Sequence, residues 1–279
     1  MNTHYLRRRV VNGAALTFSV VLTVIALFFL AWILVVLAEK GFRYVNLSLF
    51  TQSTPGAGIS GGGLANSLVG SLLITGLGIV VGAPVGVLAA TWLAEFGRRR
   101  RLTAVVRFIN DVLLSAPSIV IGVFVYGIVV APMGHFSGWA GALALAIIAL
   151  PVVVRTTDNM LQLVPDQLRE AAVALGAPRW RVTVSIVYRA SLAGIVTGIL
   201  LAIARIVGET APLLFTSLGN QFFSTNLNAP ISALPQVLFN FAMGPYTNWH
   251  HLAWAGALIS TLFVLVLMVA ARLFSGRKH

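Results

Sequence analysis

Long uncharged stretches alternate with short arginine-rich ones along this chain, and the alternation sets its elements. Six stretches free or nearly free of charge are of about spanning length, at 14–38, 64–94, 112–131, 139–154, 191–216 and 252–271, against the roughly 20 residues that a bilayer core asks of a helix. The pattern predicts an all-α integral membrane protein, a bundle of six transmembrane helices. No charge at all occurs from 112 to 154, yet the turn residues Pro132, Gly134, Ser137 and Gly138 interrupt that run and make it a tight hairpin of two spans. The uncharged run at 10–38 is too long for the apolar core of a cleavable signal, so it is kept as the first span. The division that follows is an N-terminal tail, first span and outer loop over 1–63, a core transmembrane domain over 64–273, and a tail over 274–279. Gly61-Gly62-Gly63 is read as a flexible lead into the second span; it lacks the Lys-Ser/Thr of a phosphate-cradling loop, and no nucleotide motif occurs elsewhere.

Between the fourth and fifth spans the pattern changes. Leu168, Ala171, Ala172 and Leu175 recur at i, i+3, i+4 and i+7, the spacing of one helical face. Pro165 suits a helix start, Gly176 the residue past its end, and Pro178 the opening of the next helix. A short helix over 165–177 therefore presents a small apolar face with no lipid to enter, a docking knob on the aqueous side.

Ionisable residues are expensive at membrane depth, about 2.5–3.5 kcal/mol each on insertion scales. Arg205 and Glu209 lie within the fifth apolar stretch, four apart and so expected on one helix face, where the carboxylate partly neutralises the guanidinium. Two readings stand side by side: a clamp between helices, or an anion contact lining a path. A guanidinium fork matches tetrahedral oxyanions, and a nearby carboxylate keeps the well shallow enough for release. Thr210 follows directly, and Ser115 and Ser118 flank Pro117; the serines either pack helices or line the same path. Asn110 and Asp111 open the third span, with Arg107 placed to pair with Asp111 at i, i+4.

Composition sharpens the picture. The chain is 58% hydrophobic and 9% charged, far from the roughly 25% charged of a soluble domain. Sixteen of the nineteen Lys and Arg fall in the N-terminal tail, the second-to-third connection, the segment 155–189 and the C-terminal tail, which places both termini in the cytoplasm. The net charge of +12 is accordingly read as topology and anionic lipid contact, with no nucleic acid. With no cysteine there is no disulfide or cysteine-ligated metal. The five histidines, His4, His135, His250, His251 and His279, sit in tails or outer connections without metal-site spacing, so no metal and no catalysis are expected; Trp249 and Trp254 are read as interfacial anchors.

The segment 170–186 resembles the transmembrane permeases of type I ABC importers, whose cytoplasmic loop carries Glu-Ala-Ala, then a Gly four residues after the second Ala and an Ile ten residues further. The matching positions are Glu170, Ala171, Ala172, Gly176 and Ile186; where the family continues Ile-x-Leu-Pro, this chain has Ile186-Val187-Tyr188-Arg189. Ala204-Arg205-Ile206-Val207-Gly208-Glu209-Thr210-Ala211-Pro212-Leu213-Leu214 and Ser115-Ala116-Pro117-Ser118 are similar to the PstA-type subunits of bacterial phosphate importers. The resemblance implies the type I permease fold in the bacterial cytoplasmic membrane and a coupling helix (Glu170, Ala171, Ala172, Leu175, Gly176) seated in an ATPase groove. It implies a PstC-like partner permease, two copies of a PstB-like ATPase and a PstS-like phosphate-binding protein. ATP and Mg are then used by the ATPase, with no cofactor on this chain, and phosphate moves by alternating access. Arg205, Glu209, Thr210, Ser115 and Ser118 become the candidate path, and Ala172→Glu is expected to disturb ATPase docking. The rivals are a permease for sulfate, molybdate or phosphonate, and an ion-coupled secondary transporter; the latter calls for inverted repeats and unpaired intramembrane carboxylates.

Overall fold

The computed structural model describes residues 3–97 and 101–276, with side chains for 7–97 and 101–273. Of the residues used above for orientation, Arg98, Arg99, Arg100, Arg277 and Lys278 lie outside the described residues, as do His279 and the side chain of His4.

The chain is almost wholly helical: α1 (Thr3–Phe42), α2 (Ser48–Thr51), α3 (Ala65–Thr91), α4 (Arg101–Ser115), α5 (Ser118–Val125), α6 (Ala131–Met133), α7 (Gly138–Gln162), α8 (Asp166–Ala174), α9 (Arg179–Val182), α10 (Tyr188–Val207), α11 (Ala211–Thr216), α12 (Leu234–Met243) and α13 (Thr247–Gly276). Three five-residue π-helical segments extend these helices, Trp92–Phe96 after α3, Tyr126–Val130 between α5 and α6, and Thr183–Val187 between α9 and α10.

Among the described residues five helices are long and apolar enough to cross a membrane: Arg7–Phe42, Ala65–Phe96, Gly138–Gln162, Arg179–Val207 and Thr247–Leu273. The predicted third span, 112–131, is not one helix. Its first residues belong to α4, and Arg101–Ser115 meets Ser118–Met133 at 102°. Pro117 is the cause: it has no amide hydrogen to donate, it disfavours the α region for the residue before it, and its own backbone is extended at φ −59°, ψ 131°, so the helix stops and restarts. Six spans result only if the bent pair counts as one.

The centre of the bundle is the pairing of α3 with α7. Gly78, Gly82 and Gly86 recur every fourth residue of α3 and bring its backbone onto α7; a Cβ at Gly82 would lie 3.1 Å from the Ala146 carbonyl oxygen, and one at Gly86 2.9 Å from the Val153 side chain. Small residues matter more here than in water, because lipid offers no hydrophobic drive between helices and close van der Waals packing must supply the attraction. Around this seam Ile74, Leu145, Ile148 and Val153 meet Ile121 and Val125 of α5, Ala202 and Ile206 of α10, and Leu213 of α11. In contrast α1 is exposed along most of its length and packs on α13 near its end, where Gly41 meets Leu258 and Tyr44 stacks on His251 at 3.9 Å.

The connection over 217–249 is a built cap. Trp139 N–H donates to the Leu227 carbonyl (3.2 Å), Leu234 N–H to Ser71 Oγ (2.6 Å), and Asn66 Nδ2 to the Asn220 carbonyl (2.9 Å). Its helix α12 buries Leu234, Val237 and Phe241 and packs against α13. Trp249 stacks on Phe241 at 4.8 Å and is therefore a core contact rather than a free interfacial anchor. The triglycine also departs from expectation: Gly63 N–H donates to the Ser53 carbonyl (3.0 Å) and Leu64 N–H to that of Leu49 (2.8 Å). A Cβ at Gly63 would collide with the Ser48 carbonyl, so the glycine permits close packing rather than flexibility.

Candidate substrate path and cytoplasmic docking surface

The chain breaks helix at the predicted anion contact. The helix α10 ends at Val207, Gly208 caps it, and α11 begins at Ala211 with Pro212 in its first turn. Glu209 therefore lies outside the helix, its N–H bonded to the Ile206 carbonyl at 3.2 Å. The expectation that Arg205 and Glu209 share one helix face does not hold, because four residues bring side chains together only while the helix continues. No ion pair joins them among the described residues; Arg205 is exposed and Glu209 half-buried.

The structure does bring the two conspicuous polar segments together. The helix α5 packs on α11 so tightly that a Cβ at Gly122 would lie 2.5 Å from Pro212 Cα. The bend at Pro117 and the break at Gly208 are thus neighbours in one packed unit. Ser115 caps its own helix, Oγ to the Val112 carbonyl at 2.8 Å, on an exposed surface, while Ser118 is half-buried. Beside the break a cavity of about 650 Å³ is lined by Gly208, Thr210, Phe239, His250, Ser260 and Thr261 among others. Thr210 thus faces a cavity that Arg205 and Glu209 do not line.

On the opposite part of the fold, α8 matches the predicted punctuation. Pro165 precedes it, and Gly176 adopts φ +82° just past its end. Ala177 N–H reaches the Ala172 carbonyl (3.1 Å) and Gly176 N–H that of Val173 (2.9 Å), the double bond of a Schellman ending. Pro178 then opens α9. The predicted apolar face, however, divides. Leu168 is 47% and Leu175 89% exposed, with Glu170 and Ala171 also exposed, whereas Ala172 is 6% exposed and packs among Leu161, Val164, Val182 and Val187. At 100° per residue Ala172 stands at the edge of the stripe nearest Arg169, and that edge turns into the protein.

Ion pairs organise this end. Arg107 Nε and Nη2 grip Asp158 at 2.8 and 3.0 Å, and Gln162 Nε2 adds a third bond to the same carboxylate at 2.8 Å. Arg155 reaches Asp111 at 3.2 Å in an exposed pair. Both pairs join α4 to α7, with the Arg107–Asp158 pair the shielded one, and they replace the expected Arg107–Asp111 contact: the flank of α7 supplies complementary charges at matching height. Arg169 grips Glu95 with Nη2 at 2.7 Å and Nε at 3.1 Å. Sequence reasoning passed over Glu95 and Asp158. The available signal was two carboxylates at span ends surrounded by arginines, but their partners lie 74 and 51 residues away along the chain.

A family model described as binding-protein-dependent transport system inner membrane component matches residues 82–279. Two relatives are each described as phosphate transport system permease protein PstA. The one from Yersinia pestis is 56% identical over 273 residues, covering 98% of this chain and 92% of the relative, and the one from Pasteurella multocida (strain Pm70) is 55% identical over 277 residues, covering 99% of each. A solved bacterial alginate ABC transporter, in complex with an alginate pentasaccharide-bound periplasmic protein, superposes with a TM-score of 0.63 over 94% of each chain at 16% identity, which shows the shared fold. Matched by the family model over most of its length and by these relatives from end to end, the chain belongs to the binding-protein-dependent transport system inner membrane components, in their PstA branch, and is a multi-pass ABC transporter permease rather than an enzyme.

Proposed function

We propose that this chain is one of two permease subunits of an ATP-driven importer that carries inorganic phosphate across the bacterial cytoplasmic membrane by alternating access. The observation that carries the reading is identity of 55% to a PstA over 99% of both chains. The partners are then a PstC-like permease, two copies of a PstB-like ATPase that binds and hydrolyses MgATP, and a PstS-like phosphate-binding protein. The exposed surface of α8 suits a groove in the ATPase, and the cap over 217–249 suits the binding protein.

Arg205 is the anion contact in this reading. Its exposure in the single chain is compatible with a path formed where two permeases meet, since a residue lining such a path is uncovered until the partner docks. Gly208 caps the helix beside it and Pro212 sits in the first turn of the next, and at a broken helix freed backbone groups are tolerated where they line a cavity. Glu209 moderates the local positive field through space. Ser115, Ser118 and Thr210 supply hydroxyls near the same break. In contrast to the secondary-transporter alternative, energy enters from the ATPase side, through Glu170, Ala171 and Leu175 on the outer surface of α8 with Gly176 ending it.

ATP-dependent uptake of radiolabelled phosphate into vesicles holding the assembled complex tests both substrate and site. Phosphate alone competes, sulfate and molybdate do not, and Arg205→Ala abolishes uptake while the complex still assembles. Competition by sulfate moves the substrate to another oxyanion. Undiminished uptake in the variant removes Arg205 from the path.

A further inference from the structure

We propose that the largely shielded Arg169–Glu95 pair is the rigid link by which displacement of α8 moves the adjoining end of α3, making both positioning residues for transport; the proposal rests on α8 being the ATPase-docking helix. The two side chains are only 11% and 10% exposed, and they meet through two guanidinium nitrogens, Nη2 at 2.7 Å and Nε at 3.1 Å. The remaining donors are also engaged. Nη1 reaches Asp166 Oδ1 at 3.1 Å and the Val164 carbonyl, and Nη2 also reaches the Leu161 carbonyl at 2.7 Å. One planar cation therefore ties three things together: the first turn of α8, the chain leaving α7, and the π-helical segment Trp92–Phe96 that ends α3.

The other packing of α8 is against α9 and the segment Thr183–Val187. Ala172 is its one buried residue, and a methyl group transmits push but not pull. An exposed ion pair exchanges with water and carries no sustained load. A two-pronged pair that is about nine-tenths shielded holds its geometry, because separating it leaves a poorly solvated charge uncompensated. Glu95 also stands in a π-helical segment, closed by Gly97 N–H to the Trp92 carbonyl at 2.7 Å, and π-turns are frequent at functional sites. The ATPase stroke reaches α3 through this carboxylate, and α3 passes it to α7 along the glycine seam.

The chain has no cysteine, which allows a direct test in the assembled complex reconstituted in vesicles. Glu95→Gln keeps the acceptor oxygen and removes the charge. Phosphate taken up per ATP hydrolysed is expected to fall on the order of 10-fold, with the ATPase still co-purifying and basal hydrolysis retained. A double variant, Glu95→Cys with Arg169→Cys, shows the same low ratio until a short bifunctional thiol reagent joins the two positions, and then regains the unsubstituted ratio. An unchanged ratio in Glu95→Gln overturns the link. So does a double variant whose ratio stays low after complete cross-linking, including the case in which cross-linking restores only assembly. Leu175→Asp separates this proposal from its premise. If it leaves ATPase co-purification intact, the docking assignment of α8 fails; if it releases the ATPase while Glu95→Gln transports normally, only the link fails.

Discussion

Ala172 lies in the nine-residue helix α8 and Leu175, three residues on, caps its end, and a charge placed at each has a different consequence. Ala172→Glu puts a carboxylate among Leu161, Val164, Val182 and Val187, where an unpaired charge costs about 3 kcal/mol or more. The variant is expected to lower the melting temperature of the purified permease before it affects docking, a reading that fluorescence-based thermal unfolding in detergent checks. Leu175→Asp, at 89% exposure, should leave that melting temperature unchanged and act only when the ATPase is present. The two Arg–Asp pairs of α4 divide in the same way. Asp158 is 4% exposed at its side chain and holds Arg107, whereas Asp111 is 51% exposed. Asp158→Ala should therefore destabilise the fold measurably, while Asp111→Ala stays within about 1 kcal/mol, the range of exposed pairs. Thermal unfolding of the two variants side by side decides it, and equal shifts would contradict the burial argument.

At the scale of elements, the decisive contact is between α3 and α7. Their backbones meet over Gly78, Gly82 and Gly86, and no side chain fits at the middle position without moving the Ala146 carbonyl. Gly82→Leu should cost about 1–3 kcal/mol by overpacking and should separate the two helices that carry most of the core. Loss of the monodisperse peak in size-exclusion chromatography, with Gly76→Leu as the control at an open position, reads this out. The apolar stretches of these helices were legible from hydropathy alone, and the close of α8 was legible from Pro165, Gly176 and Pro178, because proline and glycine act locally. The bend at Pro117 was not read in advance. A proline inside an apolar run is compatible with a kinked span or a broken one, and α4 settles the matter by running along α7, held by the Arg107–Asp158 pair, before the chain turns.

For the molecule as a whole, the clustering of the arginines predicts the orientation, with the α8 end cytoplasmic. Leu175→Cys should react with a membrane-impermeant maleimide only when the cytoplasmic side is exposed, and Thr225→Cys, in the outer cap, only from the opposite side. Labelling of both from one side would overturn the arrangement. The sequence by itself determined the class, the approximate spans, the short helix between the fourth and fifth of them and the family, because these rest on local composition, on periodicity and on short punctuated segments. Tertiary structure alone decided which charges pair. Arg205 and Glu209, adjacent in sequence terms, are parted by the helix end at Val207, while Arg169 finds Glu95 across 74 residues and Arg107 finds Asp158 across 51. It also decided that Ala172 faces inward and that Gly122 meets Pro212. The physical reason is common to all of these: an ion pair or a close backbone approach depends on where two helices cross, and a crossing is set by packing across the bundle, which no single segment of chain encodes.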